Sequence, residues 1–226
     1  MLVRLVDAVF PPSCAACARG AWPFCPTCAS TLVRFDVTLG EPPPEGVDAV
    51  VAPFTYEGAA RRAVLNLKFA GARQVVGALA APMADALGAV RADGITWAPL
   101  GPRRRRERGF DQGRLLARAI GRGLGVPVAP LLARTRETAP QARRGAAERR
   151  LAMGGAFASR RPAPPSVLLV DDVVTTGATV AACAAALRAA GARRVVVLAA
   201  ARAIPRSYTS AGSASGSVVA RGTSPR

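Results

Sequence analysis

The segment V-L-L-V-D-D-V-V-T-T-G-A-T, residues 167–179, leaves this chain few ways to fold. Val167 to Val170 are four consecutive apolar residues, the mark of a strand buried on both faces. Two acids follow, then a turn rich in Thr and Gly, then a helix expected over 178–190 and stopped at Gly191. Further apolar, β-branched runs at 47–54, 95–100, 126–131 and 194–199 read as strands. Helical periodicity lies between them at 57–70, at 74–91 with an interruption at Pro82, and at 109–124. In the last of these, Leu115, Leu116, Ala119 and Ile120 form the expected buried stripe. Strands alternating with helices predict an α/β fold with a mainly parallel sheet and right-handed crossovers.

In such a sheet, ligands bind where strands end at their carboxyl edge, which is where residues 171–179 fall. The stretch T-T-G-A-T opens a helix whose first N–H groups and positive dipole end favour a phosphate. Thr175, Thr176 and Thr179 add hydroxyl donors, and Gly177 permits close approach of the backbone to an anion. Val173, Val174 and Ala178 complete the loop. Asp171 and Asp172 are acceptors matched to two vicinal hydroxyls of a ribose, and can support Mg²⁺ directly or through water. Phosphate on one side and a diol on the other describe a ribose 5-phosphate group. A bare strand–turn–helix with an Asp cap explains one acid, but not the apolar strand, both acids and T-T-G-x-T together.

The chain has 226 residues and is 50% hydrophobic, enough for one α/β domain with a small appendage. It has no histidine, which excludes imidazole as base, acid or metal ligand. The formal net charge is +17, and nearly all basic residues are arginine. That surplus suits polyanionic or phosphorylated partners; an Ala/Arg/Gly/Pro-rich compositional bias accounts for it equally well. No apolar run reaches the length of a membrane span. The first ten residues carry Arg4 and Asp7 and read as a short docking helix rather than a signal peptide, so the expected location is cytoplasmic.

Cys14, Cys17, Cys25 and Cys28 form C-x2-C-x7-C-x2-C, the spacing of a four-thiolate Zn²⁺ site. Zinc would replace the core that so small a module cannot build; two disulfides or an iron–sulfur centre are the lesser alternatives. Cys183 reads as a small buried apolar residue. The expected organisation is an N-terminal helix and cysteine module over 1–36, a Pro-rich linker over 37–46, the α/β domain over 47–204, and a disordered Ser/Gly-rich tail over 205–226.

Two basic stretches remain. Arg103, Arg104, Arg105, Arg106 and Arg108 are expected in a loop after the 95–100 strand, at the ligand edge of the sheet. There they could grip pyrophosphate, contact nucleic-acid phosphates, or form a solvated charge run. Residues 134–150 read as a basic flap able to close over a bound phosphosugar. Lys68, in L-N-L-K-F-A-G, is either an anion contact or a helix C-terminal charge.

Residues 167–179 resemble the PRPP-binding signature of type I phosphoribosyltransferases. The resemblance implies that Asp171 and Asp172 contact the ribose hydroxyls and that Thr175 through Thr179 wrap the 5-phosphate. In the 6-oxopurine branch an Asp stands where this chain has Thr175, which argues against hypoxanthine or guanine as substrate. The four-cysteine module, L-K-F-A-G, R-x-R-G-F-D-Q, R-T-x-x-x-x-Q and the PRPP motif, in that order over roughly 8–204, resemble the ComF family. That family usually has Asn at the position of Asp111. The resemblance implies a type I phosphoribosyltransferase-like, Rossmann-like fold with a small zinc module. It further implies PRPP with Mg²⁺ as ligand and a link to DNA uptake in competent bacteria, with competence proteins as partners. Three functions follow as expectations: a pentosyl transferase using PRPP, a non-catalytic accessory protein binding single-stranded DNA, and, more weakly, a PRPP-sensing regulator.

Overall fold

The computed structural model describes residues 13–36, 42–69, 75–135 and 155–204. The expected docking helix, most of the basic flap and the tail over 205–226 lie outside the described residues. In chain order the elements are α1 (Pro26–Ala29), β1 (Ala49–Val51), β2 (Phe54–Thr55), α2 (Gly58–Phe69) and α3 (Val75–Leu87). Then come β3 (Gly94–Trp97), α4 (Pro102–Arg108), α5 (Gln112–Leu124), β4 (Leu132–Arg134) and β5 (Phe157–Ser159). The described chain finishes with β6 (Ser166–Val174), α6 (Ala178–Ala189) and β7 (Arg194–Arg202).

The fold is α/β. The main sheet runs β1-β7-β6-β3, with β2 also pairing β7, and every pairing in it is parallel. β6 and β7 share the longest register, from Ser166 opposite Arg194 to Val174 opposite Arg202. Successive side chains of a strand point to opposite faces, so the apolar runs of β6 and β7 serve two cores. Val167, Leu169, Val195 and Val197 pack with Val180, Cys183 and Leu187 of α6 on one face. Leu168, Val170, Val196 and Leu198 pack on the other with Leu67 of α2, Leu79 and Met83 of α3, and Leu116 and Ile120 of α5. Each such buried aliphatic side chain contributes about 1.5–3 kcal/mol relative to exposure, which is why these two strands anchor the fold.

Several expected elements differ in extent or kind. β6 runs on through both acids to Val174, four residues beyond the apolar run. The arginine segment is a helix, not a loop: Gly101 caps it, Pro102 occupies its first turn, and Gly109 ends it at φ 72°. The run 126–131 is not a full strand. Val128 makes one parallel bridge with Ile95, but Pro127 and Pro130 have no N–H to extend a ladder. A two-stranded antiparallel sheet of β4 and β5, with Ala133 opposite Ala158, was not foreseen. On α5 the buried stripe is Gln112, Leu116, Ala117 and Ile120, with Leu115 and Ala119 only half-buried. α3 accommodates Pro82 without ending.

The cysteine segment is a small lobe seated on α2. Ser13 bridges Ala21, and α1 is a single turn begun by Pro26. Asn66 Nδ2 of α2 donates to the carbonyls of Ala15 (2.9 Å) and Ala16 (3.2 Å), while the Ala59 N–H donates to Thr31 Oγ1 at 3.1 Å. At the start of α2, Gly58 adopts φ 50°, and a Cβ there would collide with the Thr31 carbonyl.

Candidate ligand site and candidate metal centre

β3 and β6 are parallel neighbours, with Trp97 opposite Val170. The segments that follow them therefore leave the same edge of the sheet: the arginine helix α4 from one, the Thr/Gly turn from the other. α2 ends against that edge too. Its Lys68 Nζ lies 2.8 Å from Asp172 Oδ1. From α5, Gln112 Nε2 donates to Asp172 Oδ2 at 2.8 Å. Asp172 is only 4% exposed, so both its oxygens are held by partners inside the protein. Residues from three separate sequence motifs thus meet on one carboxylate.

Asp171 belongs to the other face of β6. The next residue's backbone holds it, with the Asp172 N–H donating to Asp171 Oδ1 at 2.8 Å. Burial, then the neighbouring Asp172 charge, pushes the Asp171 carboxyl up to about 8. Burial also raises the Cys183 thiol well above its ordinary value, with the Asp171 charge adding to it. Cys183 is fully buried, as its sequence context suggests. The two acids are adjacent in sequence but flank the strand, one on the α6 side and one on the α2–α5 side.

Beyond them, Val173 is partly buried and Val174 fully so, Thr175 is exposed, and Thr176 and Thr179 are half-buried. Gly177 caps α6 at φ 73°, with Ala178 buried behind it. A Cβ on Gly177 would strike the ring of Pro44, so Pro44 occupies the close approach that glycine permits.

The arginines of α4 divide. Arg103 Nε pairs with Glu107 Oε1 at 2.8 Å, one turn on and largely in solvent. Arg104, Arg105 and Arg106 are exposed. Arg108 turns inward, its guanidinium 5.2 Å from the Phe69 ring centroid. Burial pulls Arg108 below the ordinary guanidinium value, and the Asp172 charge pulls it back. Buried Arg108 Nη1 and Gln112 Oε1 have no hydrogen-bond partner among the described residues. A donor and an acceptor thus stand open beside Asp172, where a ligand offering phosphate oxygens and hydroxyls would satisfy both.

Asp111, in the R-G-F-D-Q segment, caps α5. Its Oδ1 accepts from the Arg114 N–H at 3.2 Å; its Oδ2 accepts from Trp97 Nε1 (3.2 Å) and the Leu100 N–H (3.3 Å). This capping role fixes where Gln112 starts, and sequence reading did not assign it. Gln112 itself was legible only as part of a motif. Lys68 carried an unused signal: it is the only lysine in a chain of 31 basic residues.

The four cysteines converge. Their Sγ atoms all lie within 4.8 Å of one another, and Cys17 Sγ is 3.8 Å from Cys25 Sγ. Four thiolates at about 2.3 Å from one tetrahedral ion have Sγ atoms about 3.8 Å apart, so the cluster fits a metal ion. All four are free thiols. Burial raises Cys14, but N–H groups of Cys25, Cys17 and Ala16 outweigh it and bring the thiol down to about 6. Arg62 Nη2 donates to Cys28 Sγ at 3.6 Å and lowers it, yet burial and the sharing of protons with the other three thiols push Cys28 up to about 11.

No protein-family model matches this chain, and no curated protein matches it. Among solved structures it is similar to the glutamine PRPP amidotransferase of B. subtilis, at 24% identity and TM-score 0.38, covering 54% of this chain and 25% of that one. It is also similar to adenine phosphoribosyltransferases of Thermoanaerobacter pseudethanolicus (14% identity, TM-score 0.38, 59% of this chain and 84% of that one) and Leishmania tarentolae (13%, TM-score 0.36, 75% and 83%). This chain spans about a quarter of the amidotransferase's length. At such TM-scores the likeness carries neither ligand nor activity across. No helix among the described residues is long and apolar enough to cross a membrane.

Proposed function

We propose that the chain binds a ribose 5-phosphate group, carried by PRPP, at the carboxyl end of β6. The observation that carries this reading is the pair of open buried atoms, Arg108 Nη1 and Gln112 Oε1, beside a carboxylate already fixed by Lys68. Arg108 offers a donor to pyrophosphate, Gln112 an acceptor to a hydroxyl, and the turn 175–179 its N–H groups and hydroxyls to the 5-phosphate. Asp171 and Asp172 are the carboxylates able to receive the ribose diol and to hold Mg²⁺, which would shield the charge of pyrophosphate as it leaves. Zinc is the metal that four convergent thiolates fit best. The order of these motifs supports a ComF-like protein, and with it a role in DNA uptake.

Isothermal titration of the full chain with PRPP and Mg²⁺ tests the reading. Binding by the natural chain and its loss in Gln112→Ala is the expected result. No binding, or undiminished binding by both Gln112→Ala and Asp171→Ala/Asp172→Ala, rejects it. Pyrophosphate release with and without nucleobases separates a transferase from a PRPP-binding accessory protein.

A further inference from the structure

A cavity of about 650 Å³ lies outside β3, the edge strand of the main sheet. None of residues 171–179 lines it, nor does Lys68, Arg108 or Gln112. Arginines from three separate places line it: Arg105 and Arg106 of α4, Arg114 and Arg118 of α5, and Arg134 of β4 with Arg160 just after its partner strand β5. Asp111 is the one carboxylate among its walls, and its oxygens already accept from Arg114, Trp97 and Leu100 backbone or ring N–H groups.

A charge run on a solvated helix face separates its like charges. Here the fold gathers them round one concavity, where mutual repulsion is a standing cost that an anion removes. Arg114 and Arg118 are one helical turn apart on α5 and so form a neighbouring pair on one face. Arg105 and Arg106 are exposed and make no ion pair among the described residues. Guanidinium forks from three directions match phosphates joined in a row better than one isolated phosphate.

From this geometry we infer that the cleft is a binding site for a compact polyphosphate, either free or carried on a nucleoside. The volume is that of a small-molecule pocket. A passing nucleic-acid strand fits it less well. Trp97 is the only aromatic residue in the lining, its N–H is committed to Asp111, and strand binding relies on successive aromatic platforms. The apolar part of the lining, Trp97 with Pro99, Pro102 and Pro130, leaves room for a ring attached to the phosphates.

The test is calorimetric titration of the full chain at about 0.15 M salt, where exposed charges are largely screened. The probes are inorganic tripolyphosphate, ATP, orthophosphate and a short oligodeoxynucleotide. Tripolyphosphate or ATP is expected to bind the natural chain, orthophosphate far more weakly. Arg114→Gln/Arg118→Gln is expected to weaken the polyphosphate about tenfold or more while PRPP with Mg²⁺ binds as before. Arg160→Gln, at an exposed residue just after β5, should weaken it in the same direction and serves if the double variant does not fold. Equal polyphosphate affinity in the natural chain and folded variants overturns the inference. So does the absence of binding by either polyphosphate, or a loss seen with the oligonucleotide alone. If PRPP fails to bind but the polyphosphate result stands, the reading of the β6 site falls and this one does not.

Discussion

The ammonium of Lys68 sits 2.8 Å from a buried oxygen of Asp172, joining the last turn of α2 to the central strand β6. Its side chain is 19% exposed and that of Asp172 is 6%. Removing one partner of a buried pair leaves the other charged and uncompensated. Lys68→Met is therefore expected to destabilise the chain by about 3 kcal/mol or more, and Lys68→Met/Asp172→Asn by much less than the sum of the two single changes. Urea unfolding of the four proteins measures the coupling.

Gly177→Ala should cost stability on two counts, a positive φ and a collision with Pro44. The expected loss is about 1–3 kcal/mol. Pairing the substitution with Pro44→Gly removes the collision but not the strain, so it should recover only part of the loss in a thermal-melting assay.

Asp111→Asn replaces one accepting oxygen by an NH2 group in a place that receives three N–H donors. One or two of those donors lose their acceptor, at about 1–3 kcal/mol. Because Asp111 sets the first turn of α5, PRPP affinity through Gln112 should fall along with the melting temperature.

Asp48 links the sheet to α6. Its Oδ2 accepts from the Val195 N–H and from Arg188 Nη2, each at 2.6 Å. The Val195 N–H first, then Arg188, hold its carboxyl below the ordinary value of 3.8. The unfolded chain takes up the proton at a higher pH than the folded one. The stabilisation is therefore complete above about pH 5 and is lost as pH falls through the folded value. Asp48→Ala should melt below the natural chain at pH 7, and the gap should close as pH falls below the ordinary carboxylate value of 3.8. Asp48 is 42% exposed in its side chain, so solvent screening keeps the effect of its charge to about 1 kcal/mol or less.

Metal analysis of the purified chain should find about one zinc per molecule, absent from Cys14→Ser/Cys17→Ser. Chelation should lower the melting temperature, with a loss of about 3 kcal/mol or more if the lobe's folding depends on the ion. Unchanged melting with all zinc removed would refute a structural metal.

The parallel sheet and its two cores were legible because residues 167–170 of β6 and 195–201 of β7 are apolar without interruption, which only a strand covered on both sides tolerates. The cysteine cluster was legible from spacing alone. The inner partners of Asp172 were not, since Lys68 and Gln112 lie 104 and 60 residues from it and sequence periodicity carries no such distance. The arginine helix was misread as a loop because six charged residues mask a capped turn: Gly101 before, Pro102 at the start, Gly109 after. The opposed orientation of Asp171 and Asp172 followed from β6 running on past Val170, which the acids themselves disguise by lacking strand propensity.

α2 is a rod about 18 Å long by its 12 residues. Its sides are bolted to the cysteine lobe through Ala59, Arg62 and Asn66, and its tip carries Lys68. The four-cysteine cluster and the carboxylate of β6 are therefore the two bearings of a single shaft: a tilt at one has to be taken up at the other.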